Sequence, residues 1–193
     1  MYIKDKEMQD IKDAKKAIRK NISAIKKTHD MEWKLKESEK IWSMLEQVDG
    51  FAESRVVLLY YALPDEVQTE GLIRKYYGKK KIVLPLVSGD DLLMKEYDPE
   101  KICSGYCSIP EPTADALDVD VKDIDFAVIP GVAFDRQCNR LGRGRGFYDR
   151  LLSGVKCPVY GISYDFQLVD QVPLEPFDKP LDGLVLPDEV IEK

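Results

Sequence analysis

The sequence predicts an α/β fold of three layers: a mostly parallel central sheet flanked by helices, with N-terminal helices packed on it. Two observations carry this. Short, β-branched apolar runs recur between residues 55 and 187, separated by helical or polar segments. Runs that are apolar at consecutive positions suit strands buried on both faces, and parallel sheets bury both faces. Two amphipathic segments precede the first run, and strands alternating with helices give a layered α/β architecture.

In chain order, residues 10–27 read as an amphipathic helix. Ile11, Ala14, Ile18, Ile22 and Ile25 recur at three- and four-residue steps, and Lys12, Lys15, Lys16, Arg19, Lys20, Lys26 and Lys27 occupy other positions. Asp30 is placed to cap a second helix over 31–48, with Leu35, Ser38, Ile41, Leu45 and Val48 on one side and Gly50 ending it. RVVLLYYAL (55–63) and KIVLPLV (81–87) read as strands flanking a helical stretch at 65–77. DLLMKEY (91–97) alternates, as in a hairpin strand. IDFAVIP (124–130), CPVYGISY (157–164) and PLDGLVLP (180–187) are further strands, and GFYDRLLSG (146–154) starts a helix. Residues 104–123, rich in Pro, Gly, Asp and Ser, read as a long surface connection. With 193 residues and no linker or repeat, the whole chain 1–193 reads as one domain.

Composition narrows the function. Hydrophobic residues make up 44% and charged residues 33%, which suits a folded globular chain. No apolar run approaches the roughly 20 residues that span a bilayer, and the N-terminal stretch lacks the apolar core of a secretory signal. A cytoplasmic protein without membrane partners is the expectation. The net charge of −6 argues against nucleic acid as a partner. Charge is uneven, however: residues 1–50 carry 12 Lys/Arg against 10 Asp/Glu, so a basic N-terminal element sits on an acidic body. Cys103 and Cys107 are four apart, Cys138 and Cys157 stand alone, and the one histidine is His29. That spacing favours reduced structural thiols over a zinc site.

The most informative stretch is IPGVAFDRQCNRLGRGRGFYDRLL, residues 129–152. Gly142, Gly144 and Gly146 alternate with Arg143 and Arg145, two residues after Arg140. Glycines let backbone N–H groups approach an anion, and arginine forks match phosphate or carboxylate. The run fits neither a P-loop nor a dinucleotide fingerprint. The plain alternative is a solvated loop of surface ion pairs. Three glycines and three arginines in seven residues, between a buried strand and a helix, favour anion binding.

NRLGRGRGFYD resembles the signature of 5-formyltetrahydrofolate cyclo-ligases, usually NRLGRGKG followed by an aromatic pair and Asp. The resemblance continues in order through KKAIRK (15–20), YYALPDEVQTEGLI (60–73), PGVAFD (130–135), QLVDQVP (167–173) and EPFDKPLD (175–182). It implies ATP- and magnesium-dependent closure of 5-formyltetrahydrofolate to 5,10-methenyltetrahydrofolate by a monomeric enzyme. It further implies ATP contacts from Lys15, Lys16, Ala17, Ile18 and Arg19, and from Arg140, Leu141, Gly142, Arg143, Gly144, Arg145, Gly146, Phe147 and Tyr148. Folate contacts are implied for Tyr61, Glu66, Arg143, Gly144, Arg145, Gly146 and Phe147. Arg143, Arg145 and Tyr148 are the implied catalytic groups, and Asp149 and Asp178 the implied Mg2+ ligands. On the residues alone, the lysines read as a solvated face, Glu66 as a first-turn acid, one of Phe147 and Tyr148 as core, Asp149 as a helix ion pair and Asp178 as a turn acid. Arg145 stands where many relatives have Lys, and Phe177 where His often precedes the metal aspartate. The competing reading is a folate- or nucleotide-binding module without turnover, which calorimetry with an assay for ADP release separates from the ligase. Another enzyme of the sugar-phosphate-isomerase-like superfold is a third.

Overall fold

The computed structural model describes residues 2–105, 109–176 and 178–193, with residues 2–5 and 7 described in their backbone only. Expectations for Cys107 and Phe177 lie outside the described residues.

The first helix, α1, spans Tyr2–Lys26, and α2 spans Met31–Leu45. Asp30 caps α2 as expected, its carboxylate accepting from Trp33 N at 2.8 Å. The helix stops three residues before Val48, and Gly50 lies inside a short third helix, α3 (Asp49–Glu53), rather than ending α2. Leu35 is 46% exposed, so only part of the predicted face enters the core.

β1 (Val56–Leu58) is followed by α4 (Glu70–Tyr76), β2 (Lys81–Ser88) and β3 (Asp91–Glu96). A small hairpin, β4 (Ile102–Ser104) with β5 (Pro110–Pro112), occupies part of the segment expected to be plain surface connection. Then come β6 (Phe126–Ile129), a tight hairpin of β7 (Ala133–Phe134) and β8 (Arg140–Leu141), and α5 (Phe147–Leu152). β9 (Val159–Ile162), β10 (Gly183–Val185) and β11 (Val190–Glu192) complete the order.

Seven strands form the central sheet in the order β11-β10-β9-β6-β1-β2-β3. The inner pairs are parallel, and β3 and β11 join antiparallel at the edges. Alternation along each strand explains the continuous apolar runs. Val57, Ile82, Phe126, Val128 and Ile162 face a core shared with Ile41 and Leu45 of α2, Phe51 of α3 and Leu72 of α4. Leu58, Val83, Ala127, Ile129 and Leu184 face the opposite core, which Leu152 of α5 closes with Phe134. Pro85 is tolerated in β2 because it lies beyond the last β1 pair, Leu58↔Val83, where no ladder donor is needed.

From β1 the chain moves outward to β2, whereas from β6 it moves the other way to β9 and β10. β1 and β6 are adjacent, so a topological switch point lies between their carboxyl ends, where open α/β sheets leave a crevice. α1 packs beside that crevice. Its Ile22 joins Val132, Ala133, Leu141 and Val172 in a small separate core.

Asp135 holds the β7–β8 hairpin in place. Its buried carboxylate accepts from the backbone N–H groups of Gln137, Asn139 and Val172 and from the Asn139 amide, at 2.9–3.0 Å. Hydrogen bonds to charged groups contribute about 1.5–3 kcal/mol each, and buried donors left without acceptors are destabilising. Asp135→Ala is therefore expected to lower stability by about 3 kcal/mol or more in urea unfolding. A loss below about 1 kcal/mol would show that the hairpin is held by its apolar contacts instead.

Candidate active site

A cleft of about 990 Å³, including the solvent at its mouth, opens at the switch point. One wall is apolar: Tyr60, Tyr61, Leu84, Pro85, Val87 and Leu92. The β4–β5 hairpin adds Ile109, Pro110 and Glu111, so this expected surface connection is part of the site. The other wall is basic and glycine-rich: Arg140, Gly142, Arg143, Gly144, Arg145, Gly146, Phe147, Tyr148 and Asp149.

The glycines serve different needs. Gly144 and Gly146 have φ of +99° and +71°, a region that disfavours a side chain. A Cβ on Gly142 would lie 2.8 Å from the Arg140 guanidinium. Arg140 is only 7% exposed. It donates to Asp149 and to the Pro130 carbonyl, and stacks over the Tyr148 ring at 5.7 Å. Its Nε–H is buried and has no acceptor among the described residues. An incompletely satisfied, buried cation beside a cleft is chemically suited to an anionic ligand.

Arg143 crosses to the loop after β1. Its Nε and Nη2 donate to Glu66 Oε1 at 3.0 and 2.9 Å, and Nη2 also donates to Asp65 Oδ1 at 2.6 Å. Glu66 is buried, and its second oxygen accepts from Leu63 N at 3.0 Å. It therefore acts in a turn before α4 rather than as a first-turn acid of a helix beginning at 65. Arg145 lines the cleft with its guanidinium 5.5 Å from the centre of the Phe147 ring. Tyr61 packs edge-on against Tyr97, and burial raises its phenol's pKa. Tyr148 is the member of the aromatic pair that packs on the core, and burial raises its phenol's pKa too. Both Phe147 and Tyr148 line the cleft.

The five residues implied on α1 separate. Lys16 and Ala17 are exposed, and Ile18 packs on the small core that also holds Leu141. Arg19 donates to the Gly142 carbonyl at 2.9 Å, which pins α1 to the glycine loop. Burial pulls the Arg19 pKa down against the opposing fields of Glu175, Asp178 and Asp149. Lys15 is buried, not solvated, because Glu175 and Asp178 cover it at 2.7 and 2.6 Å. Burial works against its charge, yet the hydrogen bonds to Asp178 and Glu175 leave its pKa raised overall.

Asp149 and Asp178 thus both lie within the electrostatic reach of Arg19. Asp149 lines the cleft and pairs with Arg140. Asp178 accepts from Lys15 and from Glu175 N at 2.8 Å, and is not among the described residues of the cleft wall. Among the described residues no three His, Cys, Asp or Glu side chains form a metal-binding group. A dedicated all-protein cage is therefore not what these residues offer. One or two carboxylates beside a basic, glycine-rich loop do fit magnesium, which takes few protein ligands and keeps waters and substrate phosphates. Sequence reading did not single out Asp65, Lys26, Glu111 or Glu175. Asp65 and Glu175 sit inside quoted segments, but their partners are distant in the chain.

A doubly wound sheet with a basic glycine loop at its switch point defines an α/β protein with a crevice whose one wall is basic and whose other is apolar. The family model described as the 5-formyltetrahydrofolate cyclo-ligase family matches residues 11–187. The 5-formyltetrahydrofolate cyclo-ligase of Escherichia coli K12 is 34% identical over 148 residues, covering 72% of this chain and 81% of its own. That of Haemophilus influenzae is 30% identical over 183 residues, covering 90% and 94%. The solved structure of Aquifex aeolicus 5,10-methenyltetrahydrofolate synthetase superposes with a TM-score of 0.84 at 34% identity, covering 92% of each chain. The chain belongs to the 5-formyltetrahydrofolate cyclo-ligase family. It is an enzyme, a ligase of folate metabolism. No helix of the described residues is long and apolar enough to cross a membrane.

The Asp65 ion pairs carry a pH signature. Burial raises the Asp65 carboxyl, but Lys26 and Arg143 more than offset this and hold its pKa below the ordinary 3.8. A depressed folded-state pKa gives stability that is present above 3.8 and lost as pH falls through the lower folded value. The stability gap between the protein and Asp65→Asn should be constant near neutral pH and close below 3.8. A gap that persists unchanged in strong acid would contradict the pairing.

Proposed function

We propose that this enzyme converts 5-formyltetrahydrofolate to 5,10-methenyltetrahydrofolate with ATP and magnesium, releasing ADP and phosphate. The observation that carries the reading is the buried Arg140 guanidinium, with an unanswered N–H, on the wall of a cleft whose other side is an apolar slot. One side suits phosphate oxygens and the other suits a planar heterocycle.

The formyl oxygen on N5 is a poor leaving group. Transfer of the γ-phosphoryl to that oxygen makes it a good one. N10 then attacks the formyl carbon and gives up its proton, the C–O bond breaks, and the departing phosphate carries that proton away as the ring closes. This chemistry needs alignment and charge neutralisation rather than a protein nucleophile. Arg140, Arg143 and Arg145, with the backbone of Leu141, Gly142, Gly144 and Gly146, hold the phosphates. Lys15 and Arg19 add charge from α1, where Lys16, Ala17 and Ile18 form the adjoining surface. Tyr61 and Phe147 flank the folate ring, Glu66 accepts from its donor edge, and Tyr148 supports Arg140 from beneath. A magnesium ion bound beside the phosphates would neutralise charge on the transferring group; Asp149 would hold it, with Asp178 as a second carboxylate once Lys15 yields it. Phosphate-bearing ATP and the folate, including polyglutamylated forms, are the small-molecule partners. A monomer in the cytoplasm is the expected form and address, and the three described cysteines are free, which suits a reducing compartment.

Mixing protein, 5-formyltetrahydrofolate, ATP and magnesium should produce the near-ultraviolet absorbance of the methenyl product, and omission of ATP should abolish it. Formation without ATP would refute the reading. Asp149→Asn loses a magnesium ligand and the Arg140 pair together. It is expected to lose at least about a hundredfold in turnover while remaining folded by circular dichroism. Full turnover in that variant would remove Asp149 from the site.

A further inference from the structure

Arg143 is gripped by two adjacent acids at once. Glu66 Oε1 receives both Nε–H and one Nη2–H of Arg143, at 3.0 and 2.9 Å, while Asp65 Oδ1 receives Nη2–H at 2.6 Å. Glu66 Oε2 is already committed to Leu63 N. The second oxygen of Asp65 lies 3.3 Å from Nζ of Lys26, at the last turn of α1, whose side chain is 3% exposed. Asp65 therefore joins two cations, one from the arginine loop and one buried under it.

This arrangement creates competition at Glu66 Oε1. The proposed function has Glu66 accept a hydrogen bond from the folate ring. A carboxylate oxygen offers about two lone-pair directions, and Arg143 fills both at Oε1. At Oε1 a ring donor can enter only as an Arg143 bond leaves, while Oε2 keeps one direction open beside the Leu63 N–H. Asp65 is the acidic partner of Arg143 that substrate does not contest, and it makes the shortest of the arginine's contacts.

We propose that Asp65 is the positioning residue of Arg143, holding its guanidinium at the phosphate end of the cleft while substrate takes over Glu66. The proposal rests on the cyclo-ligase reading above, in which Arg143 faces the transferring phosphoryl group. A purely stabilising role is a poor account of the pair. The Arg143 and Asp65 side chains are 44% and 39% exposed, and exposed ion pairs contribute little to stability. What the pair does supply is a direction for a long, flexible side chain. Displacing a positioned group by an ångström can slow a reaction about a hundredfold.

The test is a double-mutant cycle on turnover, followed by methenyl absorbance at saturating ATP and folate. Asp65→Asn should lower kcat by between about tenfold and a hundredfold while the KM for folate shifts less than about twofold. In an Arg143→Ala background the same substitution should change kcat by less than about twofold, because the group it positions is gone. Asn leaves Lys26 buried beside a neutral partner, so Lys26→Met with Asp65→Asn removes that cation; it should fold and show the same kcat deficit. An equal kcat loss from Asp65→Asn with and without Arg143 would overturn the proposal and leave the cyclo-ligase reading standing, as would unchanged kcat in Asp65→Asn. Full turnover in Arg143→Ala would also overturn the proposal, by removing Arg143 from the phosphoryl group, and would leave the cyclo-ligase reading standing; no methenyl product from the unaltered enzyme would overturn the cyclo-ligase reading and the proposal with it.

Discussion

Cations crowded beside one another must each be neutralised before the chain will fold around them, and that requirement organises the carboxyl end of this sheet. Arg140 is held by Asp149, Arg143 by Asp65 and Glu66, and Lys15 by Glu175 and Asp178. Arg19 leans on the Gly142 carbonyl. Buried or half-buried charges of one sign are tolerated only when paired and hydrogen-bonded. Here the acidic partners come from the loop after β1, the first turn of α5 and the segment before β10. The bonds that neutralise the site are thus the same bonds that tie these three parts of the chain to α1 and to the arginine–glycine loop. A ligand carrying several negative oxygens meets groups that are already gathered and need only exchange partners.

The sheet decides where this happens. β1 and β6 are neighbours whose connections depart in opposite directions, so the loops that follow them separate and leave a crevice. The loop after β1 supplies Tyr60, Tyr61 and Glu66, and the loop after β6 supplies the arginines and glycines. β2 runs past the end of β1 and, with β3, lays an apolar floor of Leu84, Pro85, Val87 and Leu92 beside them. The proposed phosphoryl transfer and ring closure ask for two ligands in line, and a cleft with one basic and one apolar wall offers each ligand its own side.

Much of the fold was legible because the strands are buried on both faces and so appear as unbroken apolar runs. The run at 55–63 overstates its strand, since β1 stops at Leu58 and the following residues turn to line the cleft. The helix expected from 65 begins at Glu70, because Asp65, Glu66 and Gln68 use their side chains in the preceding turn. Composition disclosed the arginine–glycine loop without any structural help. Burial of Lys15 and Lys26 was not legible: lysine is ordinarily a surface residue, and their partners lie 160 and 39 positions away. The same distance hid Asp65, and nothing in the Pro-rich stretch around Pro110 signalled that it returns to wall the cleft.

The central claim is that the arginine–glycine loop and the facing turn of α1 together grasp the nucleotide. Amide hydrogen exchange in the presence of magnesium and a non-hydrolysable ATP analogue reads this most directly. Exchange should slow at residues 142–146 and at 15–19, with the far edge of the sheet around β11 unchanged. Protection that appears elsewhere while the amides of 142–146 exchange as fast as in the free enzyme would contradict the account.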